Sequence, residues 1–466
     1  MKRILSLVLF LAGTYSLTRA QEQAPRNLSG ADPRFKADIL VVVAHPDDEG
    51  AVTPYLARAI YDLHKRVAVV YGTHGNSGAN NYGRERAAGL ADIREVEARE
   101  ACARLGISNV WFLEGKDTAS QNVLNSLANW GQGANLEKLV ELVRLTRPDV
   151  IITSLPGVFI GENHGDHQAA GVLSTEAFDL AGNPVVFPSQ LAGASAHREI
   201  YLENLQPWQV KKIYYFPDAN DEKQFSGTGP AYSIKEISPS QRKPYWRIAL
   251  DAATTHLTQY PADIEKIQKM SDAEAEKMMN DPDAAWWTEP ETLVFGKSYF
   301  SSKPTDDVFA NLDGEPNECP ELPVKFRLPP TETKVKLGGP WGFYQSFREA
   351  HCLGALRVAD PPEIAVMAGT QVYVPLTIVH ANNKALKLQV KVEAPKGWKV
   401  TGGEGNITLP AEATSELRVE VETPALTASD LKTNGPQEII VHAVVDGSSA
   451  GDIKLHVLLR SHGLPQ

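Results

Sequence analysis

Cysteine is scarce in this sequence, and this limits the chemistry that thiolates can supply. The 466 residues include three cysteines, none of which belongs to a C-x-x-C pair, so a thiolate zinc site is not expected. Cys102 lies in a helical pattern and is predicted to be a buried thiol. Cys319 and Cys352 lie in loop-rich sequence, and they are the one pair that an oxidising compartment could join.

Clusters of basic residues and long apolar runs are missing as well. The formal net charge is −11, and no group of Lys and Arg side chains rises above the surface background. This charge distribution argues against nucleic acid and against anionic membrane surfaces as partners. Beyond the N-terminus, no segment is apolar enough to be transmembrane.

The N-terminal residues 1–20 are predicted to be a secretory signal peptide. Lys2 and Arg3 precede an apolar stretch from Ile4 to Ala12, and a polar segment then ends at Ala20. The apolar stretch is short for a bilayer span, so cleavage after Ala20 is favoured over the alternative of an uncleaved anchor. We therefore expect a secreted or periplasmic protein with no membrane contact after cleavage.

Residues 37–300 are predicted to form one α/β domain, preceded by a linker at residues 21–36. Helical patterns, such as "LEKLVELV" and a segment that stops at Gly106, alternate with short apolar runs. The runs are Asp38–Ala44, Val67–Tyr71, Val110–Leu113 and Val150–Ser154. Unbroken β-branched runs between helices predict a doubly wound, mostly parallel, Rossmann-like sheet that helices cover on both faces.

The C-terminal part has a different pattern. Residues 301–357 are rich in Pro and Gly and are predicted to be a linker or an extension. In residues 358–466, segments such as "TQVYVPLTI" and "LKLQVKV" alternate apolar and polar residues, which predicts an all-β sandwich. Within it, Trp398 is interpreted as a core or edge aromatic in preference to a sugar-stacking platform.

The segment "VVVAHPDDEG", residues 41–50, is the most informative part of the chain. It places His45, Asp47, Asp48 and Glu49 directly behind an apolar run, although carboxylates are costly to bury. The carboxyl ends of the strands are where ligands bind in open α/β sheets. These side chains are therefore candidates for a functional site.

A second cluster, in "GENHGDHQAAG", follows the run that ends at Ser154 and contains His164, Asp166 and His167. If both clusters lie on one edge of the sheet, His45, Asp48 and His167 can form a His₂-carboxylate site with open positions for water and substrate. This donor set suits one catalytic Zn²⁺ per chain, and Fe²⁺ or another divalent ion would also be accepted.

Together, "AHPDDE" behind an apolar strand and a downstream H-x-D-H motif resemble the PIG-L/LmbE-like zinc-dependent N-deacetylases. Members of this family act mostly on molecules that contain N-acetylglucosamine. The resemblance covers about residues 37–260. It includes the T-x-G-x-x-G segment from Thr73 to Gly78, the "R..E...A...LG" pattern from Arg94 to Gly106, "WFLEGKD" with Asp117, and "THLTQ" with His256 and Gln259.

The resemblance implies a role for each motif residue. His45, Asp48 and His167 would be the metal ligands, Asp47 the general base, and His164 the group that polarises or protonates the intermediate. Whether Asp47 or His164 protonates the leaving amine is open. Asp166 would orient a histidine, and Arg94 and Asp117 would lie on the substrate side.

The prediction is thus an exported metal-dependent hydrolase that removes an N-acetyl or other N-acyl group from an amino sugar or glycoconjugate. The alternatives are an amidase that acts on a larger acyl conjugate and a carbohydrate-binding protein with a degenerate site. The C-terminal part resembles sandwich modules of exported glycoside-processing enzymes, which implies either a glycan contact there or a module that only packs on the catalytic domain. Glu49 either orients a ligand or begins a helix, where the helix dipole favours a carboxylate.

Overall fold

The computed structural model describes most of the chain beyond residue 30. The described ranges are 31–157, 164–191, 205–216, 227–281, 285–317, 333–356, 361–380, 384–411, 414–426 and 435–460. The predicted signal peptide and Cys319 lie outside these ranges. Cys102 is a buried free thiol, as predicted, and Cys352 is disulfide-bonded. No helix within the described ranges is both long enough and apolar enough for a bilayer span.

The first part of the chain alternates strands and helices. Its strands are β1 (Ile39–Val43), β2 (Val67–Thr73), β3 (Asn109–Gly115), β4 (Val150–Ser154), β5 (Lys212–Phe216), β6 (Ala231–Tyr232), β7 (Glu291–Thr292) and β8 (Val294–Ser298). Its helices are α1 (Thr53–Tyr61), α2 (Ala88–Arg104), α3 (Val123–Trp130), α4 (Gln132–Thr146), α5 (Gly165–Leu180), α6 (Tyr245–Ala253), α7 (Pro261–Lys269) and α8 (Asp272–Met279). The four predicted apolar runs coincide with β1 to β4.

Six of these strands form one sheet in the order β3-β2-β1-β4-β5-β8. The first five strands are parallel, and β8 pairs antiparallel with β5. The sheet is therefore mixed and rich in parallel pairs, and its strand order resembles the doubly wound dinucleotide-binding arrangement. β6 and β7 pair separately.

Apolar side chains cover both faces of this sheet, which explains the unbroken apolar runs. Leu40 and Val42 of β1 join a front core with α3, α4 and α5. Val41 and Val43 point to the opposite face and join a back core with α1, α2 and α6. A strand that is buried on both faces cannot show polar alternation, as expected for a parallel sheet.

The C-terminal part is strand-rich. Its elements are β9 (Lys334–Leu337), α9 (Gly339–Ala350), β10 (Glu363–Met367), β11 (Gln371–Val379), β12 (Leu386–Glu393), β13 (Lys399–Gly402), β14 (Gly405–Leu409), β15 (Ser415–Glu422), β16 (Gln437–Val445) and β17 (Ser448–Arg460). Two sheets, β10-β17-β16-β12-β14 and β13-β15-β11-β9, share one C-terminal core. Alternate residues of β11 and β12 are buried, which confirms the predicted period-2 pattern. Trp398 packs against this core.

The range predicted as a linker or extension contains both β9 and α9. Val335 of β9 lies opposite Ile378 of β11, so the four-stranded sheet uses a strand from before residue 358. Tyr344 and Phe347 of α9 are buried in the front core, whereas Trp341 packs against the C-terminal core. Pro and Gly content depends only on the local conformation of the chain. It therefore could not predict these contacts with distant residues.

Candidate metal centre and active site

The site lies where β1 and β4 are neighbours in the sheet. Strand order reverses between these two strands, and crevices at such reversals are where open α/β sheets bind ligands. His45 follows the carboxyl end of β1, and His164 is the N-cap of α5, the next described helix after β4. The two predicted clusters therefore meet at one edge of the sheet.

Three side chains form a triangle of donor atoms. His45 Nδ1 lies 3.2 Å from His167 Nε2 and 3.5 Å from Asp48 Oδ2, and His167 Nε2 lies 3.3 Å from Asp48 Oδ1. Ligands held about 2.0–2.2 Å from a tetrahedral zinc ion are separated by about 3.3–3.6 Å. The triangle therefore has the size of one face of a tetrahedral metal site.

Asp48 is fixed by the backbone that carries it. Its Oδ2 accepts the N–H groups of Ala44 at 3.0 Å and of His45 at 2.7 Å. Burial opposes its charge, but His167 and His45 outweigh burial and hold the pKa of Asp48 well below its usual value. Asp48 is therefore ionised, as a metal ligand must be.

The other nitrogen of His45 faces two carboxylates. His45 Nε2 lies 3.3 Å from Asp117 Oδ1 and 3.4 Å from Asp166 Oδ2. Burial opposes the charge of His45, but Asp48, Asp117 and Asp166 together raise its pKa well above the usual value. Carboxylates in this position orient a metal-binding histidine and increase its basicity.

Both of these carboxylates are held by further hydrogen bonds. Asp166 accepts the Thr118 N–H at 2.9 Å and the Thr118 hydroxyl at 2.7 Å. Asp117 accepts the Ser77 N–H at 2.7 Å. Despite burial, His45, followed by the Ser126 hydroxyl and the Thr118 N–H, lowers the pKa of Asp166 to about 2, and His45 also lowers that of Asp117. Asp117, predicted for the substrate side, is thus placed against His45.

Among the residues that the structure describes, two overlapping groups of donor atoms, both including His45, lie within 4.8 Å of one another, close enough for one ion. One consists of His45, His164 and His167, and the other of His45, Asp117 and Asp166. An ion could therefore lie on the Nδ1 side of His45 or on its Nε2 side. The Nδ1 side offers imidazole donors as well as the Asp48 carboxylate, which suits zinc better than carboxylates around one imidazole.

His164 is positioned by the start of α5. Its Nδ1 accepts the Asp166 N–H at 3.2 Å, and its ring centroid lies 4.9 Å from that of His45 and 5.1 Å from that of His167. Burial, then the charges of His45 and His167, lower the pKa of His164 to about 4. His164 is therefore neutral near pH 7, with its ring proton on Nε2.

Asp47 lies beside the triangle with an unusual backbone conformation. Its φ of 119° is in the left-handed region, which non-glycine residues rarely adopt. The Tyr260 hydroxyl donates to its Oδ2 at 2.7 Å. Burial, followed by the charge of Asp48, raises the pKa of Asp47 to about 6.

Glu49 and His256 form a buried pair next to Asp47. Glu49 Oε1 lies 2.8 Å from His256 Nε2, and both residues are 2% exposed. Sequence patterns left two roles open for Glu49, orienting a ligand or beginning a helix, and placed His256 only in a similarity segment. The third acidic residue of "DDE" and the later histidine were the available signals.

Arg94 holds the loop after β2. Its guanidinium donates to the carbonyl oxygens of Gly75 at 2.5 Å and of Ala79 at 2.9 Å. A Cβ atom at Gly78 would lie 2.7 Å from Arg94 Nη1, so a larger residue there would have to displace the guanidinium. The side chain is 6% exposed, and its predicted contact with substrate remains a prediction.

The comparisons with known proteins agree with the motif pattern. Residues 40–178 match the PIG-L family model. This family is described as GlcNAc-PI de-N-acetylase, and the matched range includes His45, Asp48 and His167. PIG-L deacetylases are typically zinc-dependent, and the donor set described above is compatible with that metal.

Several curated relatives of the matched region share one name, 1D-myo-inositol 2-acetamido-2-deoxy-alpha-D-glucopyranoside deacetylase. The Thermobifida fusca protein is 25% identical over 255 residues, which are 47% of this chain and 82% of that protein. The Frankia casuarinae protein is 33% identical over 205 residues, which are 40% of this chain and 60% of that protein. This chain therefore spans less than two thirds of the Frankia relative.

Solved structures show weaker likeness. The N,N'-diacetylchitobiose deacetylase of Pyrococcus horikoshii is 19% identical with a TM-score of 0.39, covering 56% of this chain and 85% of that chain. A conserved Thermus thermophilus protein is 21% identical with a TM-score of 0.37, covering 57% of this chain and 97% of that chain.

Proposed function

We propose that this protein is a hydrolase that removes an N-acetyl group, or another N-acyl group, from an amino sugar or glycoconjugate. The observation that carries this proposal is the convergence of His45, Asp48 and His167, with Asp47 beside them. The match of residues 40–178 to a de-N-acetylase family and the names of the curated relatives support the reaction type and the substrate class.

We further propose one divalent ion per chain, zinc in preference to Fe²⁺ or another ion, held by His45, Asp48 and His167. The donor set and its separations of 3.2–3.5 Å support this choice. Such an ion, when bound, polarises the acyl carbonyl and lowers the pKa of a water molecule to about 7.

Asp47 has the properties of the general base. Tyr260 occupies its Oδ2, so Oδ1 is the oxygen proposed to accept the proton of the attacking water. A pKa of about 6 suits this task, because a base works best when its pKa is close to the working pH. The acquired proton can then pass to the leaving nitrogen.

His164 is proposed to stabilise the negative oxygen that develops on the acyl carbon. Its neutral ring accepts the Asp166 N–H on Nδ1, so Nε2 carries the hydrogen that such an oxygen requires. Because its pKa is low, His164 donates this hydrogen bond as a neutral ring and carries no second ring proton before the reaction. His164 and Asp47 both remain candidates for protonating the leaving amine.

Release of free amine is the decisive assay. Purified protein would be incubated with N-acetylglucosamine, its glycosides and N-acyl amino sugars with longer chains, each with and without added zinc. We expect amine release from at least one of them, and Asp47→Asn should lower kcat by about 10²–10⁴-fold while keeping the bound metal. Full activity in that variant contradicts the base role. Tight glycan binding without amine release from any compound favours the carbohydrate-binding alternative.

We also propose that the protein is exported. The signal-peptide pattern of residues 1–20 supports this, and so does the disulfide-bonded Cys352, because disulfides persist in oxidising compartments and are rare in the cytosol.

A further inference from the structure

We infer that Glu49, His256 and Tyr260 are positioning residues that hold Asp47 in its working orientation, and we call these three residues the Asp47 clamp. The inference rests on the proposed function, because Asp47 matters for turnover only if it handles a proton. It gives a role to the acidic residue that follows "PDD" and to the histidine of "THLTQ".

The backbone of Asp47 requires such a support. With φ 119° and ψ −21°, Asp47 lies in a sterically strained region that non-glycine residues rarely adopt. A conformation of this kind persists only where several contacts define it. The Gly50 N–H donates to the Asp47 carbonyl at 2.8 Å, which fixes one end of the residue.

Glu49 fixes the other end. Its Oε2 accepts the Asp47 N–H at 3.1 Å, while its Oε1 is paired with His256 Nε2 at 2.8 Å. A carboxylate that is 2% exposed is stable only when it is paired and hydrogen-bonded. His256 therefore keeps Glu49 in place, and Glu49 in turn holds the backbone of Asp47.

Tyr260 holds the side chain of Asp47. Its hydroxyl donates to Oδ2 at 2.7 Å, although the residue is 41% exposed and contributes little to a core. Because Oδ2 accepts this hydrogen bond, the Asp47 carboxylate is held in one orientation. Oδ1 is then the oxygen that can take part in proton transfer. Backbone and side chain are thus held by separate contacts.

One turn carries both of these contacts. The Tyr260 N–H donates to the His256 carbonyl at 3.1 Å, so the two side chains lie one turn apart. Between them, Thr258 donates its N–H and its hydroxyl to the buried carboxylate of Glu97, at 2.8 Å and 2.6 Å. Glu97 belongs to α2, which packs on the sheet. The clamp is therefore anchored to the same sheet that positions the triangle of donor atoms.

The expected consequence is a selective loss of turnover. Misplacing a catalytic group by about 1 Å can cost about 100-fold in rate. The contacts given above link Glu49 and Tyr260 to Asp47, and His256 to Glu49, so they act on the proposed base. Weakening the clamp should therefore lower kcat and leave both KM and the bound metal unchanged.

Tyr260→Phe is the most direct test, because it removes one exposed hydroxyl and no core packing. We expect kcat for amine release to fall about 10- to 100-fold, with KM and metal content as in the wild type. Tyr373→Phe is the matched control. Tyr373 is 46% exposed and donates to Gln371 at 3.1 Å, in the C-terminal part of the chain, and its loss should leave kcat unchanged.

Glu49→Gln tests the other half of the clamp, with melting temperature measured to confirm folding. A fall in kcat at constant KM and constant metal content supports the inference. Wild-type kcat in Tyr260→Phe, or loss of the bound metal in that variant, overturns it, whether or not Glu49→Gln folds. If the wild-type protein itself releases no amine, the proposed function fails first, and the clamp then has no catalytic meaning.

Discussion

Replacing Asp48 by Asn distinguishes the two positions at which His45 could bind an ion. Asp48 faces the Nδ1 side of His45, whereas Asp166 faces the Nε2 side. Asn at position 48 keeps a side-chain oxygen for the backbone N–H groups of Ala44 and His45 but lacks the negative charge. The local fold should therefore persist while the carboxylate ligand is lost. Asp166→Asn makes the matching change on the other side.

The structure sets the expected magnitudes. Mutating a carboxylate that only orients a metal-binding histidine lowers metal affinity by about 10- to 100-fold. Asp117 also lies near His45 Nε2, at 3.3 Å, and can still accept its N–H after Asp166→Asn. Asp166→Asn should therefore lower zinc affinity by only about 10-fold. Asp48→Asn removes a proposed ligand and should lower zinc affinity by more than about 100-fold, or more than about 2.7 kcal/mol.

Competition with a chromogenic zinc chelator on ion-free protein measures both affinities. Equal melting temperatures of the ion-free variants serve as the control for folding. If Asp166→Asn abolishes zinc binding and Asp48→Asn weakens it by only about 10-fold, the ion lies on the Nε2 side. The assignment of His45, Asp48 and His167 as ligands is then refuted.

Two further predictions concern stability and the N-terminus. Burial raises the pKa of Glu291 from 4.5 to about 8, so the stability that its neutral form contributes is complete below about pH 4.5 and is lost as the pH rises toward 8. The free energy of unfolding of Glu291→Gln should therefore rise relative to that of the wild type, by up to a few kcal/mol, as the pH increases across this window. Urea unfolding at pH 5 and pH 8 measures this difference, and an equal difference at both pH values contradicts the prediction. N-terminal sequencing of the mature protein should find residue 21 first, and retention of residues 1–20 contradicts the signal peptide.

The sheet and the donor clusters were accessible from the sequence because both depend on short-range patterns. The apolar run before His45 identifies β1, since a strand buried on both faces must be apolar throughout. The strand then determines where His45 and Asp48 lie. His164 and His167 follow β4 in the same way, so the parallel topology brings the clusters together.

The remaining features depend on contacts between distant parts of the chain. Glu49 meets His256 across 207 positions, and Tyr260 meets Asp47 across 213, separations that no local pattern encodes. Arg94 is another example, since its side chain contacts the carbonyl oxygens of Gly75 and Ala79, and backbone groups carry no sequence signature. For such contacts a single sequence supplies candidate residues but not their partners.

The segment that carries β9 and α9 determines whether the two parts of the protein can be separated. β9 pairs with β11 in the four-stranded sheet, while the α9 side chains Tyr344 and Phe347 complete the front core. A cut before residue 333 would expose apolar surface in the N-terminal α/β part, and a cut after residue 356 would remove an edge strand from the C-terminal part. Within the part of the chain that the structure describes, β9 and α9 therefore prevent a division into two self-sufficient modules at a single point. Exchange of the C-terminal part between proteins, by engineering or by recombination, would have to rebuild this shared segment.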